Sequence, residues 1–339
     1  MNFGDCPRCA GRARGKPSWF LYVEHVKGVR DIVASFGKRM IMWADHVESE
    51  PALLKDIPKD VVLAHWQYVD VDAKPIRRSL DAGFEVICAP AILHWQDVIQ
   101  PNAGNFRNTE TMATVAGKLA RRGVLGAVNT WWTTWRILRD AAMPGIAFTG
   151  EVFSRAGSAD RLAFMRRFVS DFFGLRSAPV ARAMWKLHSL TLNAAELNAC
   201  LFDSAADMHA LLTLTDSDDF KTRAVETSKC VADLRAARKN VRSHRAEYDA
   251  VLLAGEIASD CLDRGLRLRE AYEAYRQGER LRDNGAERRR VVERLTDAGA
   301  GLSATLKRLE RLCAAVEKEW DRTRYPRDPK KANRNVETT

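Results

Sequence analysis

The sequence predicts an α/β segment followed by an all-α segment, and two patterns along the chain indicate this division. Within the first 154 residues, short apolar runs alternate with amphipathic stretches, and the order helix, glycine, strand occurs three times. Beyond residue 154 the apolar residues recur every three or four positions over long stretches, which is the spacing of packed helices. We therefore expect an α/β unit over 1–154, a helical bundle or coiled-coil unit over 155–325, and a disordered tail over 326–339.

Four apolar runs in the first segment are predicted to be parallel strands, because they are nearly continuous rather than alternating. They are Lys38–Asp45, Asp60–Trp66, Phe84–Pro90 and Val124–Thr130. Helices are predicted over Phe20–Phe36, Pro75–Ala82 and Thr109–Arg122. A glycine follows each of them, at Gly37, Gly83 and Gly123, where a left-handed residue commonly ends a helix. The pattern alone does not choose between an open sheet and a barrel.

Aromatic residues are concentrated where the predicted strands end. Six of the nine tryptophans lie there. The first strand ends with Trp43 and Asp45, and the second ends with His65 and Trp66. The third strand is followed after a short loop by His94 and Trp95, and the fourth by Trp131, Trp132 and Trp135. The carboxyl ends of parallel strands form the face where (β/α)8 barrels place their active sites, and indole faces stack on sugar rings. A sugar-binding cleft is favoured, although any single tryptophan can instead close the core, and His65 inside a strand is expected to be a core histidine.

The strand motifs resemble a known family. Met40–Asp45, Pro58–Trp66, Gly83–Pro90 and Gly126–Trp132 are similar, in order and spacing, to barrel strands five to eight of glycoside hydrolase family 20, the β-N-acetylhexosaminidases. The closest likeness is to the hexosaminidase D-like branch. The resemblance implies the C-terminal half of a TIM-type (β/α)8 barrel, followed here by the helical segment.

The resemblance also implies a mechanism and a site. In this family the 2-acetamido oxygen of the terminal sugar attacks the anomeric carbon, an Asp orients the acetamide, and a neighbouring Glu protonates the leaving oxygen. That Asp-Glu pair ends strand four, so it is expected upstream of Met1, and no catalytic residue is assigned within the chain. Trp43, Trp66 and Trp131 or Trp132 are expected to form the aromatic walls of the sugar pocket. Asp45 is expected to bind a sugar hydroxyl or, alternatively, to cap the following helix.

Two departures from the family pattern concern the sugar contacts. Many members carry a Tyr after strand seven that binds the acetamide, and the nearest candidates here are His94 and Trp95. Many also carry a Glu just beyond the last-strand Trp, where this chain has Thr133 and Thr134. The choice between gluco- and galacto-configured sugars is therefore open.

Composition limits the other partners. The formal net charge is +10, but basic and acidic residues are interleaved in the helical segment, as on a solvated helix surface, so no nucleic-acid partner is expected. No run is long and apolar enough to suggest a membrane span, and seven irregularly spaced cysteines favour reduced thiols and a cytoplasmic location. Cys6 and Cys9 form a lone CxxC without two further ligands nearby, which favours a structural turn over a metal site. No cofactor is expected.

The helical segment contains two heptad-like seams and no catalytic constellation. One seam includes Val292, Leu295, Leu302, Leu306 and Trp320, and the other extends from Cys230 to Leu262. Helices packed in a bundle or an antiparallel coiled coil, and a homodimer through this segment, are the expectation. The leading function is hydrolysis of terminal N-acetylhexosamine from a glycan or glycoconjugate. The alternatives are a non-catalytic carbohydrate-binding protein and a helical scaffold.

Overall fold

The computed structural model describes residues 6–17, 19–95, 97–132, 137–157, 159–201, 205–280 and 285–324. These residues form two compact units. The first contains the described residues within Met1–Ile92, Gly104–Trp131 and Phe148–Ala159, and the second contains those within Leu93–Ala103, Trp132–Ala147 and Asp160–Thr339. The predicted tail over 326–339 lies outside the described residues.

The elements up to residue 154 alternate between helices and short strands. In chain order they are α1 (Pro7–Ala13), α2 (Phe20–Ser35), β1 (Ile41–Trp43), α3 (Asp45–Ser49), β2 (Val62–Trp66), α4 (Ala73–Asp81), β3 (Val86–Ala89), β4 (Ala91–Leu93), α5 (Ala103–Leu119), β5 (Val124–Ala127), β6 (Thr130–Trp131) and α6 (Met143–Ser154). Short 3₁₀ helices cover Pro51–Lys55, Ala120–Arg122 and Arg139–Ala142.

The sheet of the first unit is parallel, in the order β1-β2-β3-β5. Trp43 pairs with Ala64, His65 with Cys88, and Val86 with Val124. Four parallel strands in chain order, with helices between them, fit the arrangement expected of one half of an eight-stranded barrel. The predicted fold class, a parallel α/β segment followed by helices, is confirmed. A second, two-stranded pairing of β4 with β6 was not predicted.

One face of this sheet carries the core of the first unit. Met42 and Leu63 pack with Val23 and Val26 of α2. Val86, Cys88 and Val124 pack with side chains of α4 and α5, among them Ile76, Leu80, Met112 and Leu119. On β1 the residues that alternate with Met42 are accessible, since Ile41 is 57% and Trp43 40% exposed. The edge strand therefore has one buried and one open face.

The glycines that follow the predicted helices adopt the left-handed backbone expected of them. The φ angles are +66° at Gly37, +84° at Gly83 and +115° at Gly123. At Gly123 an added Cβ would also lie 3.3 Å from a methyl of Leu80, so both the backbone and the packing exclude a side chain there. The helix–glycine–strand pattern is thus a set of helix ends that turn directly into the sheet.

The second unit is built from long helices. They are α7 (Arg161–Phe173), α8 (Ala178–Leu190), α9 (Ala194–Leu201), α10 (Ala205–Asp216), α11 (Asp218–Ala237), α12 (Arg245–Arg280) and α13 (Gly285–Thr323), with a 3₁₀ turn at Arg238–Asn240. Helix α12 packs against α11 and α13, and α11 packs against α8. Leu192, Cys200, Leu211, Phe220 and Leu262 form a buried cluster of this unit.

The two predicted seams are covered unequally. Along the seam from Cys230 to Leu262, the side chains of Cys230, Leu234, Tyr248 and Leu262 are buried. This seam does not lie on one helix, because it extends from α11 through the turn after it into α12. Along α13, Leu295, Leu302, Leu309 and Val316 are half-buried, whereas Val292, Leu306 and Cys313 are exposed. The wider apolar stripe of α13 is therefore only partly covered within its unit. The predicted homodimer remains a prediction.

Two further observations concern the whole chain. Among the described residues, no helix combines the length and the apolar character needed to cross a membrane. All seven cysteines lie in described segments as free thiols.

Candidate functional site

The ends of β1 and β2 bring two predicted site residues into contact. Trp43 is the last residue of β1 and Asp45 the first residue of α3, while Trp66 is the last residue of β2. The indole Nε1 of Trp66 donates a hydrogen bond to Asp45 Oδ1 at 3.2 Å. The ring of Trp66 lies 4.9 Å from that of Tyr68, centroid to centroid. Asp45 is thus tied to an aromatic wall, and Ala44, rather than Asp45, occupies the N-cap position of α3.

The strand register places Trp43 and Trp66 on the same face of the sheet. Trp43 pairs with Ala64, so these two residues lie on the same face of the sheet. Side chains two residues apart in a strand point to the same face, so Trp66 shares the face of Ala64 and Trp43. Leu63 and His65 point to the opposite, helix-covered face. The two tryptophans therefore lie on the face where Ile41 is also accessible. This arrangement suits a ligand that stacks on aromatic rings at the carboxyl ends of the strands.

His65 is a buried, fully bonded histidine on the helix-covered face. Its Nδ1 lies 2.5 Å from Glu48 Oε1, and its Nε2 lies 3.0 Å from Ser79 Oγ. The ring is 0% exposed. These bonds link β2 to α3 and α4, which is the structural role expected of a core histidine.

The end of the last strand carries two buried polar atoms that have no hydrogen-bond partner among the described residues. They are Oδ1 of Asn129 and the indole Nε1 of the half-buried Trp131. Between them, Thr130 is fixed, because both its backbone N–H and its Oγ1 donate to the carbonyl of Pro90, each at 2.9 Å. A buried acceptor and donor left unbonded are costly unless a ligand or water serves them. Sequence reasoning identified Trp131 but missed Asn129.

Three predicted residues lie in the second unit. His94 is buried, and its backbone N–H donates to Asp97 Oδ2 at 2.6 Å. Its ring lies 5.0 Å from that of Trp95, which is 50% exposed. Trp132 is 43% exposed, and its backbone N–H donates to the carbonyl of Leu93 at 3.0 Å. Thr133, Thr134 and Trp135 lie outside the described residues.

Tyr22 is a neighbour of Asp45 that the sequence did not indicate. Burial raises the pKa of Tyr22 to about 12, and the charge of Asp45 acts in the same direction. Its ring lies 4.4 Å from that of His46. The Tyr22 phenol beside Asp45 therefore remains neutral throughout the physiological pH range.

The cysteines offer neither a metal site nor a reactive thiol in the sheet. Cys6 caps α1, its Sγ accepting a hydrogen bond from the backbone N–H of Cys9 at 3.4 Å. Burial raises the pKa of Cys88 to about 12, so this thiol is protonated. Within the described part of the chain, no cluster of His, Cys, Asp and Glu side chains is arranged to hold a metal ion.

Comparison with known proteins gives one family match. Residues 2–141 match the catalytic domain of glycosyl hydrolase family 20. This result confirms the resemblance carried by the four strand motifs, and it covers the strands β1 to β6 together with every predicted sugar-binding residue. We refer to residues 2–141 as the family 20 segment.

The other comparisons add little about this segment. No match was found among curated proteins. A solved GH138 enzyme targeting pectin rhamnogalacturonan II aligns with 86% of the chain at 10% identity and a TM-score of 0.45, and the chain spans 51% of that structure's length. A likeness at this level carries no conclusion about function. The functional assignment therefore rests on the match of the family 20 segment.

Proposed function

We propose that the family 20 segment belongs to a β-N-acetylhexosaminidase-type glycosidase that releases terminal N-acetylhexosamine from a glycan or glycoconjugate. The observation that carries this proposal is the match of residues 2–141 to the family's catalytic domain. The joint placement of Trp43, Asp45 and Trp66 on one edge and face of the sheet supports it. The reaction is substrate-assisted: the sugar's own acetamide oxygen displaces the leaving group, which departs protonated by a carboxylic acid.

In this proposal the residues at the strand ends bind and orient the sugar. Trp43 and Trp66 supply aromatic walls against the apolar face of the pyranose and the acetamido methyl. Asp45 Oδ1 is held by the Trp66 indole, which orients the carboxylate and leaves its second oxygen for a sugar hydroxyl. Trp131 and Asn129 offer a donor and an acceptor at the end of the last strand. His94, Trp95 and Trp132 are proposed as further sugar contacts.

The acid and the acetamide-orienting residue are proposed to lie upstream of Met1. The resemblance places an adjacent Asp-Glu pair at the end of the strand before β1, and this dipeptide occurs nowhere in the 339 residues. The same absence favours a second candidate, a carbohydrate-binding protein that keeps the aromatic residues and has no acid.

The test is hydrolysis of a chromogenic N-acetyl-β-glucosaminide by the chain as given and by a chain extended in frame upstream of Met1. Activity in the extended chain alone would support the glycosidase and its upstream pair. Activity in both would contradict the upstream position of the pair.

The second candidate predicts a different result. Two folded, inactive chains that still bind N-acetylglucosamine, measured by calorimetry, would replace the glycosidase with the binding protein. Folding is checked in each case by circular dichroism.

A further inference from the structure

The second unit contains a largely apolar cavity that none of the candidate sugar-binding residues lines. Its volume is about 430 Å³, and it lies between α12 and α13. Aliphatic and aromatic side chains form most of the wall, among them Ile137, Ile257, Leu309, Val316 and Trp320. The size and the apolar wall are those of a small-molecule site rather than of a packing defect.

A buried arginine interrupts this apolar wall. Arg264 lines the cavity, and its side chain is only 7% exposed. Its Nε is buried and has no hydrogen-bond partner among the described residues, and the same is true of Oδ2 of the neighbouring Asp260. Nη2 of Arg264 contacts the Cys261 Sγ at 3.3 Å and lies 3.5 Å from Asp260 Oδ2, which is too long for a good hydrogen bond. A buried guanidinium with so few acceptors is costly, so the cavity favours a group that accepts hydrogen bonds.

The neighbouring ion pairs determine how far Asp260 is available to Arg264. Asp260 Oδ1 accepts from Arg308 Nε, so the charge of Asp260 is shared with a second arginine. Asp263 accepts from Arg308 Nη2 at 2.5 Å and from Arg267 Nε at 3.1 Å. Asp260 is therefore shared between two arginines, and its shorter contact is to Arg308 rather than to Arg264. Glu317 also lines the cavity, but it is exposed, so solvent screens its charge.

We propose that this cavity binds a single-chain amphiphile with a carboxylate head group, with the chain against the aliphatic wall and the carboxylate at Arg264. A carboxylate matches the planar guanidinium and supplies the acceptors that Arg264 lacks. The apolar chain fills a space that is unfavourable for water.

The proposal predicts how affinity depends on the two parts of the ligand. Each added methylene buried in the cavity should tighten binding about fourfold, until the cavity is full. Replacing the carboxylate with a hydroxyl should weaken binding on the order of tenfold or more, because a charge-assisted hydrogen bond is lost. An ammonium head group should bind more weakly still, because it meets Arg264.

The experiment is calorimetric titration of the full chain with octanoate, decanoate and dodecanoate, and with decanol and decylamine, all below their micelle-forming concentrations. The same titrations are made on Arg264→Gln and on Cys313→Trp, since Cys313 lines the cavity and is exposed. Ala304→Trp is the matched control, because Ala304 is exposed on the same helix and does not line the cavity.

The expected result is a chain-length series with preference for decanoate over decanol, loss of that preference in Arg264→Gln, and loss of binding in Cys313→Trp alone. Equal affinity for the three ten-carbon head groups would overturn the carboxylate assignment. Decanoate binding that Cys313→Trp leaves intact would overturn the cavity as the site. If Arg264→Gln does not fold, the head-group series and the tryptophan pair still decide.

Discussion

At the scale of single residues, Trp66 is the side chain that links the candidate sugar site to its carboxylate. It lies on the same face of the sheet as Trp43 and donates to Asp45. In the upstream-extended chain, Trp66→Ala should weaken binding of N-acetylglucosamine-type ligands by on the order of 1–3 kcal/mol, because a stacking surface is removed. Calorimetry or inhibition of the chromogenic reaction measures the change.

The control for this substitution is another tryptophan. Trp185→Ala removes the same side chain from α8 and should leave ligand affinity unchanged. If Trp66→Ala folds and binds as tightly as the parent, Trp66 only closes the core and the sugar site has been misassigned.

The site was only partly predictable from the sequence at this scale. Tryptophans at strand ends were visible as a repeated position, and His65 was correctly expected to be a core residue. Tyr22 and Asn129 were not found, because a residue that approaches a site from a preceding helix or turn leaves no periodic signal. Sugar binding did not follow from the sequence, because the spacing and burial of aromatic residues do not specify which ligand they contact.

At the scale of the elements, two glycines of the same helical region should respond in opposite directions to one substitution. Gly28 lies inside α2, whereas Gly37 follows it with φ +66°, and an added Cβ meets no atom within 4 Å at either position. Gly28→Ala should stabilise the protein by about 0.5–1 kcal/mol, because alanine loses less backbone entropy in a helix. Gly37→Ala should destabilise it by about 1–2 kcal/mol, because the left-handed backbone strains any Cβ.

Thermal or urea unfolding of the two variants measures both changes. Since an added Cβ meets no neighbouring atom at either position, the comparison isolates the contribution of backbone conformation to the free energy of unfolding. Destabilisation by both variants would show that Gly28 has a packing role, and stabilisation by both would contradict the left-handed helix end.

Elements with strong local signals were predicted best. Apolar runs predicted the strands that end at Trp43 and Trp66, and Gly37, Gly83 and Gly123 predicted where the helices before β1, β3 and β5 end. Helix α5, however, begins at Ala103 rather than near Thr109. Its first turns bury polar residues: Asn108 donates to the Gln67 carbonyl at 2.7 Å, and its Oδ1 accepts from the Ala91 backbone at 3.4 Å. A helix face that buries asparagines has no apolar periodicity, so the pattern was not detectable.

At the scale of the whole molecule, unfolding should depend on pH through His188. Burial lowers the pKa of His188 to about 4 from an ordinary 6.5, and this outweighs the opposing hydrogen bond to the Pro101 carbonyl, 2.8 Å away. The unfolded chain therefore binds a proton at a pH where the folded chain does not. The resulting stability is fully present above pH 6.5 and is lost as the pH falls towards 4, on the order of 3 kcal/mol in all.

Unfolding free energies between pH 7 and pH 4 test this dependence. His188→Gln should flatten the profile across that window, whereas His209→Gln, at an exposed position on α10, should leave it unchanged. An equally steep profile in His188→Gln would assign the acid sensitivity to other groups.

The parallel order of the sheet also constrains how the first unit acquires its structure. Ile41 pairs with Val62 and Val86 with Val124, and a helix lies between the strands of each pair. No hairpin can nucleate this sheet, since every strand must wait for a crossover to close before it finds its neighbour. The loop-closure entropy of each crossover precedes any gain from pairing, so the strands fold slowly compared with the helices of the second unit. During synthesis an apolar strand of this sheet therefore emerges from the ribosome before the next strand that pairs with it, and its unpaired edge favours aggregation at that stage.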